Sequence, residues 1–345
     1  MIMTRHFQVS TSQSFNSIGR MAASMRPLAG LSISCGGYAI VAFGIAPTLY
    51  MRNLSAFAWQ FLPAAFVLLS LGLLVAAIVR RPAAPFTYLA DIIRRRGGGA
   101  LGIAAGMCIG MAAFWTVKFN IPHAVPFYAD PALAEIDRTL HFGDPWRWVH
   151  SIMPAAAMPP MLVVYFPLWL LAFIGCIALA AFHPSDRLRS RYLLSFIATY
   201  AVLGTMLAAL GASVGPIFYD QFLGEGRFAD LILTLKQKPG ASYHFFVADR
   251  LYAAYVSGAE DVFAGISAMP SIHVAVATLN ALFLTQINRW LGVAAWAFAA
   301  LTLFGSVYFG WHYAVDGYVS AAAVLLFWRL FDAPRRDEQS SDVTC

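Results

Sequence analysis

Residues 160–182 read Pro160-Met-Leu-Val-Val-Tyr-Phe-Pro-Leu-Trp-Leu-Leu-Ala-Phe-Ile-Gly-Cys-Ile-Ala-Leu-Ala-Ala-Phe182, a run of 23 residues without one charge. At 1.5 Å per residue a helix of that length crosses the roughly 30 Å hydrocarbon layer of a bilayer. Arg187, Arg189 and Arg191 follow closely. An uncharged run of this length, closed by arginines, reads as a membrane span with its arginine end in the cytoplasm.

Similar runs lie at 29–49, 57–79, 100–117, 193–212, 271–287, 290–310 and 313–331. The expected fold is therefore all-α, a polytopic membrane helix bundle of about eight spans. Composition agrees: 60% of the chain is apolar and 12% charged, against about a quarter charged in soluble domains. The net charge of +6 does not point to nucleic acid, because the basic residues sit in short clusters between spans. Those clusters set topology. Arg5, Arg20 and Arg26, then Arg80, Arg81 and Arg94 to Arg96, Arg187 to Arg191, Arg289, and Arg329 to Arg336 place 15 of 23 basic residues on one set of loops. The same loops hold 6 of 17 acidic residues, so that side nets +9 and the other, with 8 basic and 11 acidic, nets −3. The positive-inside rule puts both termini in the cytoplasm and the long connections 118–159 and 213–270 outside.

The organisation expected is a retained cytoplasmic tail (1–28), two accessory spans with an Arg-rich loop (29–99), a six-span core (100–331) and a cytoplasmic C-terminal tail (332–345). Residues 82–99, ending in Gly97-Gly98-Gly99, read as an interfacial helix. The two outer connections are rich in proline and aromatics, which suits an ordered cap of short helices. Cys35, Cys108 and Cys176 lie in apolar segments and Cys345 is terminal, so no disulfide framework or CxxC metal pair is evident. The absence of an internal repeat disfavours a transporter of the inverted-repeat kind.

Two polar clusters open spans on the outer side. The first is Met269-Pro-Ser-Ile-His273, entering the span at 271–287; the second is Ser306-Val-Tyr-Phe-Gly-Trp-His312-Tyr-Ala-Val-Asp316-Gly317, entering the span at 313–331. Helix N-termini favour anions there through unpaired N–H groups and the helix dipole. His312 and Asp316 are four apart and share a helical face. A carboxylate so placed can accept one imidazole N–H, fix the tautomer and leave the other nitrogen nucleophilic. The same spacing also suits two metal ligands or a structural hydrogen bond. His273, on the neighbouring span, can move a proton, and Ser271 can hydrogen-bond a phosphate oxygen. Ionisable groups inside a membrane are functional candidates by default.

Pro270-Ser271-Ile272-His273 resembles the Pro-Ser-Gly-His motif of the type 2 phosphatidic acid phosphatase superfamily, and His312-x3-Asp316 resembles the end of its third motif. The resemblance implies a six-helix catalytic core in which Ser271 binds phosphate, His273 protonates the leaving oxygen, His312 attacks phosphorus and Asp316 supports His312, with no metal and no cofactor. Three departures are plain. Ile272 replaces the family's Gly, Ser306 stands where its third-motif Arg would be, and no Lys-x6-Arg-Pro first motif appears near the end of the fifth span. These features are more similar to the branch containing fungal inositol phosphorylceramide synthases and their bacterial relatives. That branch implies transfer of a phosphoryl or phospho-head-group from a lipid donor to an alcohol or sugar acceptor. A lipid phosphate phosphatase using water, and a non-enzymatic transporter, are the alternatives.

Without the first-motif cations, other groups must meet the phosphate charge. Arg250 and Lys118 are the preferred candidates, with Ser306 beside them, ahead of Arg227, Lys236 and Lys238. Tyr219 and Asp220 are candidates for lining the cap. His123, His141, His150 and His244 lack partners at telling spacing. The partners expected are a lipid and the bilayer, and the location an inner membrane of bacterial type with its site on the periplasmic side.

Overall fold

The computed structural model describes residue 30 and residues 32–332. The tails expected at 1–28 and 332–345 lie outside the described residues, except Asp332. Among the described residues there are thirteen helices and no strand. Eight of them match the eight apolar runs. They are α1 (Ser32–Ile45), α2 (47–80), α3 (Pro85–Ala124), α6 (Ala155–Phe182), α7 (Asp186–Leu210), α11 (Ile272–Ile287), α12 (Arg289–Tyr308) and α13 (Ala314–Leu330). Five of these, α2, α3, α6, α7 and α12, are long and apolar enough to cross a membrane. This is an integral membrane protein.

Two boundaries differ from the reading of the sequence. The first apolar run is broken at Ala46 (φ −151°, ψ 82°), before Pro47, because a residue preceding proline is pushed out of the helical region. The interfacial helix expected at 82–99 is instead the start of α3, which runs unbroken for 40 residues through the triple glycine. Three glycines each disfavour a helix by roughly 1 kcal/mol relative to alanine. No neighbouring helix closes on Gly97 or Gly98, so the helix continues because backbone groups in or near hydrocarbon must be hydrogen-bonded within the segment.

The remaining helices are α4 (Asp130–Leu140), α5 (Pro145–Ile152), α8 (Pro216–Leu223), α9 (Ala229–Lys236) and α10 (Ala241–Ser257). They come from the two long connections and fold over one end of the bundle as a cap. Its core, including Leu133, Trp146, Tyr219 and Leu231, is continuous with Tyr308 and Tyr313 at the ends of α12 and α13. At the opposite end the arginines clamp helix termini: Arg96 donates to the carbonyls of His183 (2.6 Å) and Pro184 (2.9 Å), and Arg191 to that of Trp328 (2.7 Å).

The central helix is α11, buried along Val274–Ala281 and packed against α6, α7, α12 and α13. Asn288 turns the chain from α11 into α12, its Oδ1 accepting the amides of Trp290 (2.8 Å) and Leu291 (3.2 Å). In α6, Pro167 lies inside a widened π turn, Val164–Leu168. Proline lacks the amide for a regular helical bond, and a wider turn absorbs the defect. That turn presents Tyr165 and Trp169 to the start of α11, where the chemistry gathers.

Candidate active site

His312 lies in the short connection between α12 and α13. The amides of Trp311 (3.1 Å) and His312 (3.3 Å) both donate to the carbonyl of Ser306, which folds this connection back on the end of α12. The Nδ1 of His312 is 2.7 Å from the carbonyl oxygen of Ala268 and 3.5 Å from Oδ2 of Asp316. Both neighbours are acceptors, so Nδ1 carries the proton and Nε2 holds the lone pair. Nε2 has no hydrogen-bond partner among the described residues, and the ring borders a chamber. Asp316 is fully buried; its Oδ2 also accepts the Tyr313 amide at 3.0 Å.

Two further carboxylates hold this connection, and both come from α4. Asp137 accepts the amides of Ala314 (2.7 Å) and Val315 (2.9 Å). Asp130 accepts the Tyr313 hydroxyl (2.9 Å) and the amides of Val214 and Gly215 (2.9 Å each). Gly215 is irreplaceable here: its φ is +82°, and a Cβ would stand 2.5 Å from the Trp311 carbonyl. Burial pushes both carboxyls up from the usual carboxylate range, while the hydrogen bonds they accept pull them back. The amides opening α13 are thus already taken by carboxylates. The expectation that this helix end attracts a phosphate is overturned, because Asp137 and Asp316 occupy the position an anion would take.

The other helix end differs. Ser271 caps α11, its Oγ accepting the Val274 amide at 3.5 Å, while its own amide donates to the Asp316 carbonyl at 3.4 Å. The two motifs are therefore joined through backbone. The amides of Ile272 and His273 make no hydrogen bond outside the helix among the described residues, which leaves donors for an anion. The His273 ring stacks on Tyr165 (4.7 Å between centroids, 12° between planes) and lies 4.4 Å from the Trp169 ring. Trp169 Nε1 donates to the His273 carbonyl at 2.9 Å. The centroids of His273 and His312 are 6.5 Å apart, close enough for one tetrahedral phosphorus centre to reach both rings.

Both histidines border a chamber of about 340 Å³ with largely aromatic walls. Two cations border it as well, and they differ. Arg250 is committed: it donates to Asp261 at 2.7 Å and to the Val262 carbonyl at 2.9 Å, and holds the Asp261 carboxyl below its ordinary range. Lys118 has no hydrogen bond or ion pair among the described residues; its Nζ sits 5.2 Å from the Trp115 ring and 5.9 Å from that of Phe114.

Residues 131–330, more than half of the chain, match the family model described as the PAP2 superfamily. The chain belongs to the PAP2 superfamily. No curated protein and no solved structure matches it significantly. Membership makes it a membrane enzyme of phosphatase or phosphotransferase type, acting on lipid substrates. The PAP2 match covers α4 to α13 and leaves α1 to α3 outside, so Lys118 is supplied by a helix beyond the matched region.

The remaining candidates fall away from the chamber. Ser306 is fully buried, its hydroxyl donating to the Leu303 carbonyl at 2.7 Å, and does not border it. Ser271 is likewise buried behind the chamber wall. Arg227 donates to the Ala134 carbonyl within the cap, while Lys236 and Lys238 rest on Phe245 and Tyr308. Tyr219 donates to Glu225 at 2.8 Å and Asp220 accepts the Phe228 amide, both within the cap. His123 stacks on Tyr255, His141 contacts Tyr318, and His150 bonds the Tyr308 carbonyl. His244 is buried against Phe309 and Trp311.

Reading the sequence missed Asp130, Asp137 and the Ala268 carbonyl. The carboxylates carry a usable signal, since they are seven residues apart on one helix face that also buries Leu133 and Ala134. A backbone carbonyl carries none.

Proposed function

We propose that this PAP2 enzyme is a lipid phosphotransferase of the inositolphosphotransferase-like kind, working through a phosphohistidine on His312. The observation that carries the proposal is the pairing across one chamber of a histidine with a bare Nε2 and a second histidine 6.5 Å away. In the first step the Nε2 lone pair of His312 forms a bond to phosphorus, and the bond from phosphorus to the lipid oxygen breaks. Protonated His273 gives its proton to that departing oxygen. In the second step His273 takes the proton of an acceptor hydroxyl, the new oxygen–phosphorus bond forms, and the N–P bond breaks.

Lys118 and the first-turn amides of α11 stabilise the charge on the five-coordinate phosphorus. Lys118 thereby stands in for the cations of the missing first motif, with Arg250, already paired with Asp261, as a lesser contributor. Ser271 acts through its cap on α11, and Ser306 through the carbonyl that shapes the His312 connection. The acceptor is an alcohol or sugar hydroxyl, inositol among them, and a sphingolipid or glycerolipid phosphate is the donor. The arginine clusters support a site on the extracytoplasmic face, the periplasmic one in a bacterial inner membrane.

The test is lipid mass spectrometry on cells carrying wild-type protein or His312→Ala. Accumulation of one phosphorylated lipid, with loss of one phosphorylated acceptor, supports transfer. Accumulation of a lipid phosphate with release of inorganic phosphate by wild type alone points to the phosphatase, and identical lipid profiles reject both.

A further inference from the structure

A second cavity of about 410 Å³ lies between α2, α3 and α6. Every residue bordering it is apolar or cysteine; no side-chain nitrogen or oxygen reaches it among the described residues. Small residues hollow it out, namely Gly97, Ala100 and Ala104 on α3 and Ala178 and Ala181 on α6. It shares Phe57, Phe61, Met111 and Phe173 with the chamber holding His273 and His312. The two spaces therefore adjoin across these four side chains, one with polar groups on its border and the other wholly apolar.

Its dimensions follow from helix geometry. From Met111 to Gly97 along α3 is about 21 Å, and from Phe173 to Phe182 along α6 about 14 Å, at 1.5 Å per residue. One leaflet of hydrocarbon is about 15 Å deep. The groove is thus as deep as a membrane lipid's chain, and it leads from the reacting end toward Arg94 to Arg96. Phe66 and Leu101, 70% and 71% exposed, flank it on the lipid-facing side, so a chain can enter sideways from the bilayer.

We propose that this groove holds one hydrocarbon chain of the lipid substrate, with its phosphate beside Lys118, His273 and His312. This rests on the phosphotransfer reading above, and it assigns a task to α2 and α3, which lie outside the PAP2 match. These helices select donors whose chain is long enough to pass Phe57, Phe61, Met111 and Phe173. The amphiphilic polarity of the two adjoining spaces matches that of the ligand, and a soluble phosphate ester would leave the apolar one unfilled.

The experiment fills the groove far from the chemistry. Ala104→Trp and, as a milder change, Ala178→Leu are compared with wild type on dioleoyl and dihexanoyl phosphatidic acid in mixed micelles. The ratio of kcat/KM for the long over the short substrate should fall at least tenfold in Ala104→Trp and less in Ala178→Leu. A ratio within twofold of wild type in both variants, each folded by its thermal transition, overturns the proposal. Binding is read separately on His312→Ala protein, with a phosphatidic acid carrying a diazirine at one chain end. Labelling within 97–108 and 174–182 that disappears with Ala104→Trp supports the groove. Labelling equal to that from a diazirine phosphatidylcholine marks ordinary surrounding lipid and overturns it. If neither substrate turns over in wild type, phosphatidic acid fails as the donor, and the labelling alone decides the groove.

Discussion

The ring of His312 is oriented first by the carbonyl of Ala268, at 2.7 Å, and only second by the carboxylate of Asp316, at 3.5 Å. A backbone acceptor fixes the same tautomer as a carboxylate but adds no full negative charge to stabilise an imidazolium. The division of labour has a measurable consequence.

Asp316→Asn keeps an oxygen that can accept the Tyr313 amide, because Asp316 is the third residue of α13 and reaches back to the residue that opens it. With Ala268 still holding Nδ1–H, kcat should fall by clearly less than the roughly 10⁴-fold lost when a sole orienting carboxylate becomes an amide. His312→Ala should fall to background. A loss for Asp316→Asn as large as for His312→Ala would contradict the Ala268 assignment. Activity removed by EDTA and restored by a divalent ion would instead make His312 and Asp316 metal ligands.

His273 is assigned by its leaving-group dependence. His273→Ala should be slow with a lipid alkoxide as leaving group and much less affected with p-nitrophenolate, whose departure needs little protonation. Equal losses on both substrates would remove the general-acid role. Phosphoenzyme trapped in His312→Ala protein would sink the covalent mechanism itself.

Lys118→Met should lower kcat/KM by about 100-fold or more, the scale of removing one donor to the charge that develops on phosphorus. Lys118→Arg should restore part of it. Arg250→Gln should cost less, because Arg250 is already paired with Asp261. Reversal of that order would move the phosphate toward Arg250.

Stability should depend on pH through the cap. Burial lowers His150 from 6.5 to about 4 and His244 from 6.5 to about 3. The unfolded chain binds protons at both positions below pH 6.5 while the folded cap does not, so stability rises with pH through this window. The thermal transition in detergent should therefore drop as pH falls from about 6.5 toward 4. Replacing both histidines by Phe should flatten the slope; an unchanged slope would assign it to other groups.

Topology is checked by single cysteines in a background lacking Cys35, Cys108, Cys176 and Cys345. Phe142→Cys in the cap, a position 96% exposed, should react with an impermeant maleimide on intact cells. Arg95→Cys, whose parent side chain is 74% exposed, should react only after permeabilisation. The reverse pattern would put the active site in the cytoplasm.

Much of this protein is decided by one-dimensional information. Apolar run length, as in 160–182, determines where helices cross, because backbone N–H and C=O groups in hydrocarbon must be satisfied within the segment. The spacing of His312 and Asp316 marked them as a pair, but His312 precedes α13, which starts at Ala314, so the turn into the helix rather than a shared helical face brings them within 3.5 Å. The PAP2 motifs could be read because they are contiguous. Three things depended on the tertiary structure. The Ala268 carbonyl reaches His312 across 44 residues, and Asp137 reaches Ala314 across 177; no local pattern encodes either meeting. The sequence favoured Arg250 ahead of Lys118, and the position of Asp261, which pairs with Arg250, reverses that order. The groove beneath the chamber arises where small residues of α3 and α6 face each other, and that pairing is set by how the helices pack.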